Sequence, residues 1–250
     1  MKRSMAIAAA VLTATVSIQS LVAADSITVP EQFHYAWHLR GGLAWLAGFR
    51  FPTSGFGEMK NNPTPNGMSS QLVITPARGE NGFYIYRSEI DLDGARTLTS
   101  FHGYQWGEKS RKENTFFDYV KRLARIRKET PDEVENKVRP IASSTIRDVL
   151  TGIYYLRANS DTIKAPFLSE IYSDGKVYPV LFKPEGMETL EVQNRKIPTR
   201  AFLITAAPGE ATRWPGGVKV WLSTDERKIP VRIEIQQRFA SLRLDLRSIE

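Results

Sequence analysis

The feature that most constrains this chain is a period-two alternation of apolar and polar residues near its C-terminus. Val231, Ile233 and Ile235 alternate with Arg232, Glu234 and Gln236, and Leu242, Leu244 and Leu246 with Arg243, Asp245 and Arg247. A strand turns successive side chains to opposite faces, so this pattern marks strands with one buried and one wet face. Val218 to Ser223 reads as a further strand, joined to the next through Thr224–Lys228. The chain therefore ends in a sheet.

The same alternation recurs upstream. Phe33, Tyr35, Trp37 and Leu39 share one face, and after Gly41-Gly42 so do Leu43, Trp45, Ala47, Phe49 and Phe51, which predicts a hairpin. From Pro52 to Ser70 the composition changes to Gly, Pro, Asn and Ser, which predicts a mobile excursion from the sheet. Strands are expected over 71–75, 83–92 and 97–106, with a tight turn at Asp93-Gly94. Further strands are expected over 168–172, 176–182, 187–195 and 201–206.

Residues 144–158 form the clearest helical stripe: Ile146, Val149, Leu150, Ile153 and Tyr154 share a face, with Ser144 or Thr145 as the cap and Asp148 completing a capping pair. Gly152 weakens its interior by about 1 kcal/mol, which packing must offset. Residues 108–129 fit two readings. Phe116, Phe117, Val120, Leu123 and Ala124 suit a helix, whereas Ala124 and Ile126 alternating with Arg125 and Arg127 suit a strand. The expected fold is mainly β: an antiparallel curved sheet or open half-barrel, with one central helix at about 144–158 packed on it.

Residues 1–24 have the three parts of a cleaved export signal. Lys2 and Arg3 precede an apolar run, and Val22-Ala23-Ala24 offers small residues before Asp25. The expected mature chain is one β-rich domain over 25–250, periplasmic, with no second apolar run long enough to span a bilayer. It has no cysteine, so stability rests on the buried core without disulfides. The formal charge of +7 falls to +5 without Lys2 and Arg3, a modest excess that suits anionic envelope surfaces; an exported chain has no call for nucleic acid.

Three islands carry a family resemblance: Leu150-Thr151-Gly152-Ile153-Tyr154-Tyr155-Leu156-Arg157, Asp174-Gly175-Lys176-Val177-Tyr178, and Val220-Trp221-Leu222-Ser223 through Asp225–Glu234. In order and spacing they resemble the exported bacterial proteins grouped as domain of unknown function 3108. The resemblance implies a single β-rich domain akin to the curved half-barrel of periplasmic lipoprotein carriers. It also implies paired strands at Asn114–Asp118 and Arg122–Lys128, and it brings no established reaction. The chain departs from the family most at 52–70 and 131–139.

Little here points to catalysis. On a strand, His34 and His38 stand about 13 Å apart, too far to share an ion. Glu89, Asp91 and Asp93 lack the further ligands of a calcium loop, and no nucleophile elbow, H-E-x-x-H or phosphate loop occurs. No metal or cofactor is expected. The aromatic face suits either core packing or the lining of a cavity, and Tyr35, Trp37, Trp45 and Phe49 are the candidate ligand-binding residues. Arg122 and Arg125, in a basic run with Arg127 and Lys128, are the candidate partner-binding residues. The function these features favour is a non-catalytic periplasmic carrier for an apolar or lipid-like ligand, lipoprotein included. The alternative is an envelope-assembly module that docks an acidic partner.

Overall fold

A computed structural model of the chain describes residues 29–41, 52–77, 82–93, 95–211, 214–237 and 240–250. The expected export signal and the strand expected over 43–51, with Trp45 and Phe49, lie outside the described residues. The strands run in chain order as β1 (Glu31–Arg40), β2 (Ser54–Thr64), β3 (Gly67–Pro76), β4 (Gly82–Asp91), β5 (Arg96–Trp106), β6 (Lys109–Asp118), β7 (Leu123–Glu129) and β8 (Val134–Pro140). Helix α1 (Val149–Asn159) follows. The second half comprises β9 (Phe167–Ser173), β10 (Lys176–Val192), β11 (Arg195–Ala206), β12 (Gly217–Ser223), β13 (Pro230–Gln236) and β14 (Ser241–Ile249).

All fourteen strands form one antiparallel sheet in the order β8-β7-β6-β5-β4-β3-β2-β1-β14-β13-β12-β11-β10-β9. Because β1 pairs with β14, the first and last strands meet mid-sheet, and the two edges are β8 and β9. The edges do not pair, so the sheet is curved but not closed. Residues 141–166, which carry α1, join one edge to the other. Before the helix begins, this connection is pinned on two sides: the Thr97 amide donates to the Ile146 carbonyl at 2.9 Å, and the Tyr172 amide to the Arg147 carbonyl at 2.7 Å.

That pinning corrects the predicted helix start. Ile146 and Arg147 stay outside the helix because their backbone groups already bond β5 and β9. The cap is Asp148, whose carboxylate accepts from the Thr151 amide at 2.9 Å. Ile146 packs with Phe117, Ala124, Ile141 and Tyr172 in a separate cluster between β9 and β6–β7. Gly152 does exploit a close approach, since a β-carbon there would lie 3.3 Å from Ile171 Cδ1.

The excursion predicted for 52–70 is instead the β2–β3 hairpin. Its inward positions include Gly55, where an apolar side chain would have signalled a strand. A β-carbon at Gly55 would lie 1.9 Å from the Thr75 carbonyl oxygen and 2.5 Å from Trp37 Nε1, so the bare backbone is what lets the indole cross β2. The ambiguous segment forms β6 and β7, with Thr115, Phe117, Ala124 and Ile126 buried on one face, as the family resemblance implied. Residues 134–140, within the departure from the family pattern, add the edge strand β8. The strand expected over 187–195 is mostly the far end of β10, beyond a bulge at Pro184/Gly186.

Phe33, Tyr35, Phe182, Phe202, Val220, Leu222 and Leu244 fill the concave face beneath Leu150, Ile153 and Leu156 of α1. Each fully buried side chain of this kind contributes roughly 1.5–3 kcal/mol. Trp221 is buried too, but in an outer cluster with Leu190, Ala201 and Val231. The β12–β13 turn is held by Ser223, whose hydroxyl accepts from the Ile229 amide and donates to Asp225, both at 2.7 Å. On the other side of the molecule the β9–β10 turn is fastened to β6: Tyr172 donates to the buried Glu113 at 2.8 Å, and Arg111 bonds both Glu113 and Asp174.

Candidate functional site

The space between sheet and helix is packed. Tyr35 is 1% exposed, and its hydroxyl donates to the Pro230 carbonyl at 2.8 Å, which places this candidate ligand residue in the core. Trp37 belongs to the same core and also lines a cavity at its edge. Its indole N–H donates to the Thr75 carbonyl at 2.8 Å and lays the ring across Gly55.

Trp106 of β5 is seated in the same way over Gly82, where a β-carbon would come within 2.4 Å of the indole. Tyr84 lies between Tyr104 and Trp106, with ring centroids 5.8 and 6.4 Å away. Trp37, Leu39, Ile74, Tyr84, Trp106 and Leu242 enclose an apolar cavity of about 260 Å³ at this mouth. Burial, with Tyr104 alongside, pushes the Tyr84 phenol above its ordinary value, so it remains a neutral donor beside the cavity.

Deeper on the same face Tyr86 stacks on His102 at 4.6 Å, and the surface then becomes polar. Ser88 donates to Asp148, the Asp148 amide donates to Thr97 Oγ1 at 2.8 Å, and Thr97 donates to Thr151 at 2.7 Å. Burial raises the Asp148 carboxyl above its ordinary value. This serine–carboxylate pair caps a helix. The space beside it is about 20 Å³, room for about one water molecule and too small for a substrate.

The remaining candidates lie on the convex face or in turns. His34 approaches Glu250 at 3.3 Å and His38 approaches Asp245 at 3.5 Å, and they do not converge. Burial lowers the His38 pKa against the opposing pull of Asp245. Among the described residues no three His, Asp or Glu side chains are grouped to hold a metal ion. Arg122 occupies the β6–β7 turn at positive φ, and its carbonyl accepts from the Ile141 amide at 3.0 Å.

Arg125 projects from β7 beside Phe116, which is 48% exposed, and Val138, which is 63% exposed. Together with Arg87, Phe101 and Arg127 they border an open cup of about 700 Å³. Arg127 pairs with Glu129 at 2.7 Å, while Arg125 has no ion pair among the described residues.

Residue-by-residue reading of the sequence singled out Trp37 but not Tyr84 and Trp106. Their signal was present in the alternating aromatics at 84, 86, 104 and 106, on two strands that pair. Ile74 and Leu242 carried no local mark.

Among the described residues no helix is long and apolar enough to cross a membrane. No curated protein matches the chain. Among solved structures, the chain is similar to a beta-barrel-like protein of domain of unknown function DUF1849 from Brucella abortus, with TM-score 0.58 and 9% identity over 89% of this chain and 97% of that one. At that identity the likeness shows a shared fold. The Mycobacterium tuberculosis lipoprotein LppX aligns over 91% of this chain and 89% of its own at 16% identity, but with a TM-score of 0.28 it carries no argument. The profile of the family described as "Protein of unknown function (DUF3108)" matches residues 66–247.

Proposed function

Since the chain belongs to the DUF3108 family, whose description assigns no activity, we propose from its geometry that it is a non-catalytic carrier in the cell envelope, holding an apolar or lipid-like group at the mouth of its half-barrel. The observation that carries this reading is the aromatic cavity bounded by Trp37, Tyr84 and Trp106. The export signal read at residues 1–24 supports a periplasmic setting.

A cavity of about 260 Å³ accepts roughly eight or nine units of about 30 Å³, the length of a short hydrocarbon segment. At about 0.8 kcal/mol per buried methylene the gross gain is roughly 7 kcal/mol, so binding no tighter than about 10 μM is expected. The neutral fluorophore N-phenyl-1-naphthylamine should show saturable enhancement with the protein. Trp106→Arg, which puts a charge into a half-buried lining position, should weaken it at least about tenfold. Unsaturable enhancement, or equal affinity in a folded Trp106→Arg variant, would remove this function.

The packed interior beneath α1 favours a second reading alongside it, docking of an acidic partner through the convex face. Arg125 supports it as an exposed cation without an ion pair among the described residues, beside exposed apolar side chains. A labelled oligoglutamate peptide should then bind several-fold more tightly at about 0.01 M than at about 0.1 M salt. Arg122→Glu combined with Arg125→Glu should abolish the anisotropy change. Salt-independent binding that survives both reversals would count against this face.

A further inference from the structure

Two arginines flank α1, and the fold treats them differently. Arg157, near its C-terminus, is 4% exposed, and Glu31 and two carbonyls saturate its guanidinium. Arg147, just before its N-cap, is 8% exposed and has no carboxylate within ion-pair distance among the described residues. Its Nη1 donates to Ser169 Oγ at 2.8 Å, and the guanidinium lies 4.0 Å from the centre of the Tyr155 ring. Its Nε is buried without a hydrogen-bond partner.

The backbone holds Arg147 in that position. Its amide donates to the Glu170 carbonyl at 3.2 Å and its carbonyl accepts from the Tyr172 amide, so it sits beside β9 in parallel register with Ile171. Alternation along β9 puts Ser169 and Ile171 on one face and Glu170 on the other, and Glu170, whose Oε2 is buried without a hydrogen-bond partner, forms no ion pair with Arg147. Burial pulls the Arg147 pKa below its ordinary value, opposed by the Tyr155 and Tyr119 phenols. The group nevertheless remains a cation.

An arginine with so little exposure ordinarily has a counter-ion, because an uncompensated buried charge costs several kcal/mol. Stacking on Tyr155 offsets only part of that. Arg147 borders an open cup of about 900 Å³, whose walls include the exposed Leu168, Phe167, and the hydroxyl residues Ser143 and Thr145. Glu170 and Glu210 also border it, Glu210 from an exposed position.

We infer that Arg147 and Ser169 form an oxyanion site at the open edge of the sheet, which accepts a carboxylate or phosphate group as the missing counter-ion, with Phe167 and Leu168 beside it for an apolar tail. A guanidinium edge matches two carboxylate oxygens in a forked arrangement, and such charge-assisted bonds are about twice as strong as neutral ones. This site is separate from the mouth bounded by Trp37 and Trp106.

Isothermal titration of decanoate into the full chain tests it, in a Trp106→Asp background, where a carboxylate at the mouth repels the decanoate head group. Decanoate should bind and decanol should not. Arg147→Met should weaken decanoate by about 10- to 100-fold while leaving the melting temperature unchanged or raised, because it removes a buried charge that no acid balances. Ser169→Ala, a smaller change, should weaken decanoate several-fold. Acetate and inorganic phosphate identify the source: decanoate binding well ahead of both supports an amphiphile head group, and equal binding supports a free anion. Equal affinity of decanoate and decanol, or full decanoate affinity in Arg147→Met, would overturn the site. So would a marked loss of stability in Arg147→Met without any change in binding. Loss of fluorophore binding at the mouth would leave this result untouched.

Discussion

Replacing Arg157 with alanine should destabilise the protein by about 3–5 kcal/mol, the range for removing one member of a buried ion pair. The side chain joins three parts of the fold. Nη1 and Nη2 donate to Glu31 at 2.8 and 3.1 Å, Nε donates to the Lys228 carbonyl at 3.1 Å, and Nη2 also reaches the Arg227 carbonyl at 2.9 Å. One residue near the helix C-terminus thus fastens the start of β1 to the β12–β13 turn.

Removing it leaves a carboxylate that is 8% exposed, with Arg227, 3.6 Å away and half exposed, as its remaining cation. With a urea slope of about 2–3 kcal/mol per molar, the midpoint should fall by about 1–2 M. Arg157→Met combined with Glu31→Leu should recover part of the loss, because an apolar pair leaves no unbalanced charge. A midpoint within error of wild type in Arg157→Ala would show that the clamp contributes nothing.

Gly55→Ala is the second large effect, about 3 kcal/mol of destabilisation. The added methyl would overlap the Thr75 carbonyl oxygen, a backbone atom fixed in the neighbouring strand, and the Trp37 indole. Something must shift: either the β2–β3 ladder opens locally or Trp37 loses its bond to Thr75. Both outcomes disturb the mouth, so fluorophore binding should fall along with stability. Gly57→Ala, one inward position along, serves as the control. Its nearest contact is Leu244 Cδ2 at 3.2 Å, the end of a flexible side chain, so a loss below about 1 kcal/mol is expected. Equal effects at the two positions, read by urea unfolding and tryptophan fluorescence, would refute the steric account.

These two residues also show where a reading of the sequence succeeds and where it stops. The C-terminal strands and β1 were legible because alternation is written residue by residue: most inward positions are apolar and most outward ones polar, with Glu31 inward and Trp221 outward as exceptions. In β2 the inward position Gly55 is empty to make room for a tryptophan from β1, so the strand looked like a loop. The early start predicted for α1 failed for a related reason. Residues 144–147 have helical spacing, but the backbone groups of Ile146 and Arg147 find partners in β5 and β9, strands about 50 residues upstream and 25 downstream.

The candidate sites were legible only in part. Trp37 lay on an obvious aromatic face, yet of that face's core members Phe33, Tyr35 and Trp37 only Trp37 also lines the cavity. Ile74, Tyr84, Trp106 and Leu242 join it from β3, β4, β5 and β14, and no spacing rule links such positions.

Alternation depends only on which side of a strand a residue faces, so the chain alone specifies that it forms an antiparallel, one-sidedly apolar sheet with a helix packed on it. The meeting of β1 with β14, the cavity that the described residues leave at the mouth, and the burial of Arg147 without an ion pair among them all depend on how that sheet curves. Curvature sums small twists over fourteen strands, and it takes its final value only when the β8–β9 connection is packed inside.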